Sequence, residues 1–145
     1  MVVFGNWLVQ SDGIVRPIIR GEICGVDGTW FEVSFLIDTG ADRTVFSAAV
    51  LEKLRLPPIE TTDRLVGVGG GTDSVVVQAQ IRLTRENGST VLFNGRFAAF
   101  TNPEVIDLSV LGRDILNLFA VIVDRPRDVV ALVGPGHSYS IQPSA

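Results

Sequence analysis

Apolar stretches in this chain are short, rich in Val, Ile, Leu and Phe, and broken again and again by turn residues. Fifteen glycines and seven prolines in 145 residues leave few windows long enough for a helix, because Gly supplies turn conformations and Pro ends helices. Val15 to Cys24 and Thr29 to Ile37 read as a hairpin across Gly25-Val26-Asp27-Gly28. Val77, Ala79, Ile81 and Leu83 alternate with Gln78, Gln80, Arg82 and Thr84, the period of two of a half-buried strand. Asn87-Gly88 predicts a type I′ turn into a return strand from Thr90 to Phe100. Asp107 to Leu111 is a short apolar segment, and Ala120 to Asp124 with Val129 to Val133 make a second hairpin around Arg125-Pro126-Arg127-Asp128. Two short helices interrupt this pattern: Ser47 to Leu54, with Ser47 as N-cap and Pro57-Pro58 as stop, and Gly112 to Phe119. The expected class is all-β.

The length suits one domain, with residues 15–133 as its body, 1–14 as an N-terminal segment and 134–145 as a polar tail. Hydrophobic residues at 46% and charged ones at 19% are globular proportions. Twelve basic residues against sixteen acidic ones give −4, and no basic run exists to grip a phosphate backbone, so no nucleic-acid partner is expected. One cysteine, Cys24, excludes an internal disulfide, and one histidine, His137, excludes a His-rich metal site. The N-terminus lacks a secretory pattern. No apolar run reaches the roughly 18–20 residues of a membrane span. Cytoplasmic residence without a membrane partner is the expectation.

One segment carries chemistry. Phe35-Leu36-Ile37-Asp38-Thr39-Gly40-Ala41-Asp42-Arg43-Thr44-Val45-Phe46 drives an apolar strand straight into a carboxylate, a hydroxyl and a glycine. Asp-Thr-Gly is also an ordinary turn, but apolar residues on both sides place this loop inside the structure. A carboxylate there must be paired or hydrogen-bonded. Leu65-Val66-Gly67-Val68-Gly69-Gly70-Gly71-Thr72 is a glycine-rich turn between strand-like segments, and Ser109-Val110-Leu111-Gly112-Arg113-Asp114 brings apolar residues to a Gly-Arg pair. No Gly-Lys-Ser/Thr follows the glycines, so they are no phosphate loop.

Taken in order and spacing, these three segments resemble the retropepsin-like aspartic proteases, the family of the retroviral proteases, over roughly Val15 to Val133. The resemblance implies a closed, barrel-like all-β fold with a flap hairpin and one or two short helices. It implies an aspartic endopeptidase without metal or cofactor, acting on an extended peptide or protein. Two carboxylates must share a proton in that chemistry, and this chain holds a single Asp-Thr-Gly, so the second Asp38 would come from a second copy in a homodimer.

Carried over by resemblance, Asp38 is the catalytic carboxylate, Thr39 fixes the two loops across the dimer axis, and Gly40 leaves room for substrate. Ala41 and Asp42 would line the substrate, with Asp42 paired to Arg113. Gly112 would allow close packing beneath the loop. Val68, Gly69, Gly70 and Gly71 would form the flap tip, and Val45, Val68 and Val110 would wall the pockets. Arg43 beside Asp42 departs from the family pattern and bears on subsite preference. Retroviral members interleave their chain termini into a dimer sheet; whether Met1 to Phe4 or Tyr139 to Ile141 does so is left open. His137, Cys24, Trp7 and Trp30 read as bland, and the pairs Arg82, Arg85 and Arg125, Arg127 as solvated faces. Two other readings compete: a retropepsin-fold dimerisation or peptide-binding module that cleaves little, and a small ligand-binding β-barrel with an incidental Asp-Thr-Gly.

Overall fold

Gly13, Gly28 and Gly88 take the left-handed position in three tight hairpins, and Asp128 takes it in a fourth. In the computed structural model, the backbone is described for residues 1–67, 70–103, 107–136 and 138–140, and side chains for the same residues except 60–67 and 70–73. The described elements run β1 (Val2–Phe4), β2 (Asn6–Val9), β3 (Val15–Cys24), β4 (Trp30–Ile37), β5 (Val45–Phe46), α1 (Ala48–Leu54), β6 (Glu60–Gly67) and β7 (Gly70–Thr84). They continue with β8 (Thr90–Phe100), β9 (Ser109–Leu111), α2 (Arg113–Leu116), β10 (Ala120–Asp124) and β11 (Val129–Val133).

The Asn87-Gly88 turn differs from the expected type I′. Only Gly88 has positive φ, at 86°. Its N–H donates to the Arg85 carbonyl at 2.9 Å while Arg85 N–H donates to Ser89 O at 2.7 Å. This is a three-residue loop, a type I turn closed by a left-handed glycine. The loops ending at Gly28 and Gly13 repeat the bonding. The extra residue wins because the Asn87 side chain accepts Ser89 N–H at 3.0 Å, a local turn bond that does not need positive φ at Asn87.

Strands β3-β4-β9-β5-β8-β7 close on themselves through a β3–β7 pairing, giving a six-stranded barrel, with β2 and β6 appended. The all-β expectation holds. Phe35, Phe46, Ile19, Ile23, Val77, Ile81, Leu83 and Leu111 fill the interior. Phe46 bridges Phe35 and Phe97, with centroids 6.5 and 5.6 Å away. Each such side chain stabilises by about 1.5–3 kcal/mol through burial.

Helix α1 starts where expected, with the Ser47 side chain accepting Val50 N–H at 3.2 Å. Helix α2 is shorter than Gly112 to Phe119. It ends at Leu116, and Leu118 and Phe119 N–H groups bond to carbonyls three residues back, Ile115 and Leu116. A final tight turn of this kind swings the chain into β10.

A second sheet, ordered β1-β11-β10, packs beside the barrel. Here β1 pairs with β11 of its own chain, Val3 opposite Leu132, so Met1 to Phe4 is held within the subunit. Gly134 N–H donates to Met1 O at 2.8 Å. Residues 141–145 and His137 lie outside the described residues. Among described residues, no helix is long and apolar enough to cross a membrane.

The arginines expected as solvated faces are not uniform. Arg82 lies 4.0 Å over the Trp30 ring and forms two bonds to Glu22, at 3.1 and 3.0 Å. Cross-strand register, Glu22 opposite Arg82 and Cys24 opposite Trp30, creates this half-buried cluster. Arg125 likewise lies 5.5 Å from the Trp7 ring centre.

Candidate active site

Strand β4 ends at Ile37 in the barrel wall, and the next residue, Asp38, donates its N–H to Leu111 O at 3.1 Å. The parallel pairing of β4 with β9, Ile37 opposite Leu111, sets that contact. Two distant parts of the sequence therefore meet at the carboxylate. Asp38 Oδ1 accepts Gly40 N–H at 3.0 Å, and Asp38 O accepts Ala41 N–H at 3.2 Å, closing the Asp-Thr-Gly turn. Asp38 is half-buried, while Thr39, Gly40 and Asp42 are open to solvent in the single chain. The loop expected inside the structure is thus partly covered in the single chain, with Asp38 half-buried and the rim open.

The loop is fixed from below by the start of α2. Arg113 N–H donates to Ala41 O at 2.8 Å and Asp114 N–H to Asp42 O at 3.3 Å. Arg113 Nη1 reaches Thr39 O at 3.1 Å, and Nη2 pairs with the Asp42 carboxylate. That ion pair is exposed, with the Asp42 side chain 81% accessible, so its own stability is worth about 0–1 kcal/mol. Its geometric consequence is larger, since one guanidinium holds both Thr39 and Asp42.

Gly112 has an ordinary φ of −99°, but no space for a side chain. A Cβ there would lie 2.4 Å from the Arg43 carbonyl carbon and oxygen. Close packing of β9 against the loop requires this glycine.

Thr44 and Asp114 were not among the expected site residues. Thr44 is fully buried; its hydroxyl donates to Asp114 Oδ1 at 2.7 Å and accepts Gly112 N–H at 3.1 Å. Asp114 also receives Thr44 N–H at 3.0 Å. The available signal was a threonine at the entry to the apolar pair Val45-Phe46 and an acid directly after Gly112-Arg113.

Val110 sits on β9 opposite Val45, joining the two proposed pocket walls. Gly70 and Gly71 open β7 opposite Gly67 and Val66 at the end of the β6–β7 hairpin. Val68 and Gly69 lie outside the described residues. Among described residues, no cluster of three His, Cys, Asp or Glu side chains could hold a metal ion.

A family model described as aspartyl protease matches residues 20–134. Among solved structures, the chain is similar to a retropepsin-like aspartic protease from Rickettsia conorii. Identity is 18%, coverage is 91% of this chain and 97% of that one, and the TM-score is 0.53. It is also similar to EIAV protease complexed with the inhibitor HBY-793, at 25% identity over 70% of this chain and 86% of that one, TM-score 0.49. No curated protein matches. The Rickettsia likeness concerns the fold, and the fold places the Asp-Thr-Gly loop at the end of a barrel strand. With the family match spanning that loop and the Gly-Arg-Asp beneath it, the chain belongs to the aspartyl protease family, in its retropepsin-like form.

Proposed function

We propose that this protein is an aspartic endopeptidase active as a homodimer, with Asp38 of each copy forming one reaction centre. The observation that carries this reading is the isolation of Asp38: a half-buried carboxylate on an open-rimmed loop, braced from below by α2, in a chain with one Asp-Thr-Gly. Two carboxylates a few ångströms apart do not readily both ionise, so they share one proton, one acting as base and the other as acid.

A water between the two carboxylates loses a proton to the ionised one as its oxygen attacks the peptide carbonyl carbon. The protonated carboxyl donates to the carbonyl oxygen. The tetrahedral intermediate then collapses: the leaving nitrogen takes a proton from one carboxyl as the C–N bond breaks, and a hydroxyl of the intermediate returns its proton to the other carboxylate, which restores the shared-proton pair. Thr39 holds the two loops in register, while Gly40 and Ala41 present backbone to an extended substrate by strand addition. Asp42, positioned by Arg113, meets the substrate backbone. The β6–β7 hairpin closes over the peptide and excludes water. Val45 and Val110 contribute apolar walls to the side-chain pockets.

Cleavage of an unfolded protein, followed against enzyme concentration, tests this reading. Activity should rise more steeply than first order near the dimer dissociation constant and vanish in Asp38→Asn. A tight wild-type dimer that cleaves nothing would instead identify a dimerisation or peptide-binding module.

A further inference from the structure

Beyond the catalytic loop the chain runs into β5, and side chains along an extended chain alternate in direction. The Thr44 side chain turns to Asp114 and Gly112, and Phe46, on the same side, sits in the core. Val45 leaves on the other side and has Val110 opposite it, and Val110 is in turn level with Leu36 of β4. By the same alternation Arg43 stands on the side of Val45. None of Val45, Val110 and Leu36 belongs to the core cluster. They form a short apolar strip outside the barrel interior, and a guanidinium ends it.

Arg43 is fixed at its backbone and uncommitted at its tip. A Cβ on Gly112 would lie 2.4 Å from the Arg43 carbonyl carbon and oxygen and 2.9 Å from its nitrogen, so the Arg43 main chain is pressed against the residue after β9. Arg43 is exposed and has no ion-pair or hydrogen-bond partner among the described residues. The carboxylates of the loop and its brace are engaged elsewhere: Asp42 pairs with Arg113, Asp114 holds Thr44, and Asp38 accepts Gly40 N–H. A peptide lying across this rim takes water from the guanidinium, and a covered cation without an acceptor is costly. A carboxylate is the acceptor that matches its fork of donors. The whole chain carries −4, which repels acidic peptides in general, so a selection for acid must be local to this residue.

We propose that Arg43 is a specificity-determining residue that selects peptides carrying a glutamate or aspartate side chain near the scissile bond. The inference rests on the endopeptidase reading above and names its substrate class. Val45 and Val110 take the methylenes of that side chain, and Arg43 takes its carboxylate. In a two-fold dimer one Arg43 stands on each side of the scissile bond, so acidic side chains are favoured at two positions, one on each side. Arg43 touches no reacting atom. Its contribution is to binding, and its loss raises KM more than it lowers kcat.

A peptide library cut by wild type, Arg43→Gln and Arg43→Glu tests the assignment, followed by kinetics on one cut peptide and on the same peptide with glutamine or lysine in place of the acid. Wild type should enrich acidic residues on both sides of the cut. It should prefer the acidic peptide over the glutamine form about tenfold in kcat/KM, chiefly through KM, with the preference shrinking as salt rises. The preference should vanish in Arg43→Gln and pass to the lysine peptide in Arg43→Glu. Arg96→Gln, which removes an exposed cation on β8, should keep the wild-type preference. Asp38-dependent cleavage by wild type without acid preference, or a preference that survives in Arg43→Gln, would overturn the role of Arg43 and leave the endopeptidase reading standing. Equal results from wild type and Asp38→Asn would overturn that reading, and this inference with it.

Discussion

The Thr44 hydroxyl donates to Asp114 at 2.7 Å while accepting the Gly112 N–H at 3.1 Å. One buried oxygen thus ties the strand entering the barrel to the helix under the catalytic loop. Thr44→Val keeps the shape but strands the buried Gly112 N–H and removes one of the hydrogen bonds to Asp114. It should cost about 2 kcal/mol or more, read as a lowered denaturation midpoint. Thr44→Ser, which keeps the hydroxyl, should lose clearly less.

Gly112→Ala should disturb the site through space alone. The added methyl would overlap the Arg43 backbone, so either β9 or the loop carrying Asp42 must shift. We expect destabilisation of about 1–3 kcal/mol and a loss of cleavage larger than that loss of stability explains. Thermal melts and initial rates on the same preparation separate the two.

Arg113→Lys should do the reverse. The ion pair with Asp42 is exposed, so the melting temperature should hardly move, in line with about 0–1 kcal/mol. A lysine cannot hold the Thr39 carbonyl and the Asp42 carboxylate with two fixed donors. Cleavage should therefore fall while binding of the dimer partner, measured by sedimentation, stays near wild type.

Acid should weaken the fold through carboxylates away from the site. A side-chain bond from Arg16, aided by Ile14 N–H, lowers Asp12 from 3.8 to about 2. Glu86 is held below its ordinary range chiefly by the Val2 N–H, and Asp27 by the Thr29 N–H. Groups depressed in the folded state stabilise fully above their unfolded values and lose that contribution as pH falls through the folded ones. Stability should be level above about pH 5 and decline toward pH 2, with a shallower decline in Asp12→Asn. Melting temperatures across that range check this.

The sequence made the strands and the site's chemistry legible for different reasons. Alternation at Val77 to Leu83 and the Ser47 cap are local signals, and β7 and α1 follow them. The meeting of Asp38 with Leu111 is not local; only the three-segment resemblance pointed to it. Strands β1 and β2 went unread because three or four residues carry no measurable period, and only pairing with β11 and β3 gives them their conformation. The Asn87-Gly88 turn shows the same limit at smaller scale. Its dipeptide announces a hairpin, but the Arg85 to Ser89 bonds decide the loop length. Thr44 carried no signal of its own in the sequence, because its partner Asp114 lies seventy positions away.

The central claim is that each reaction centre takes one Asp38 from each of two copies. Mixing wild type with Asp38→Asn at constant total protein, after exchange of subunits, tests it most directly. If two intact carboxylates are needed, activity follows the square of the wild-type fraction and falls to about one quarter in an equimolar mixture. Activity proportional to the wild-type fraction, about one half at that point, would show that a single chain suffices and contradict the account.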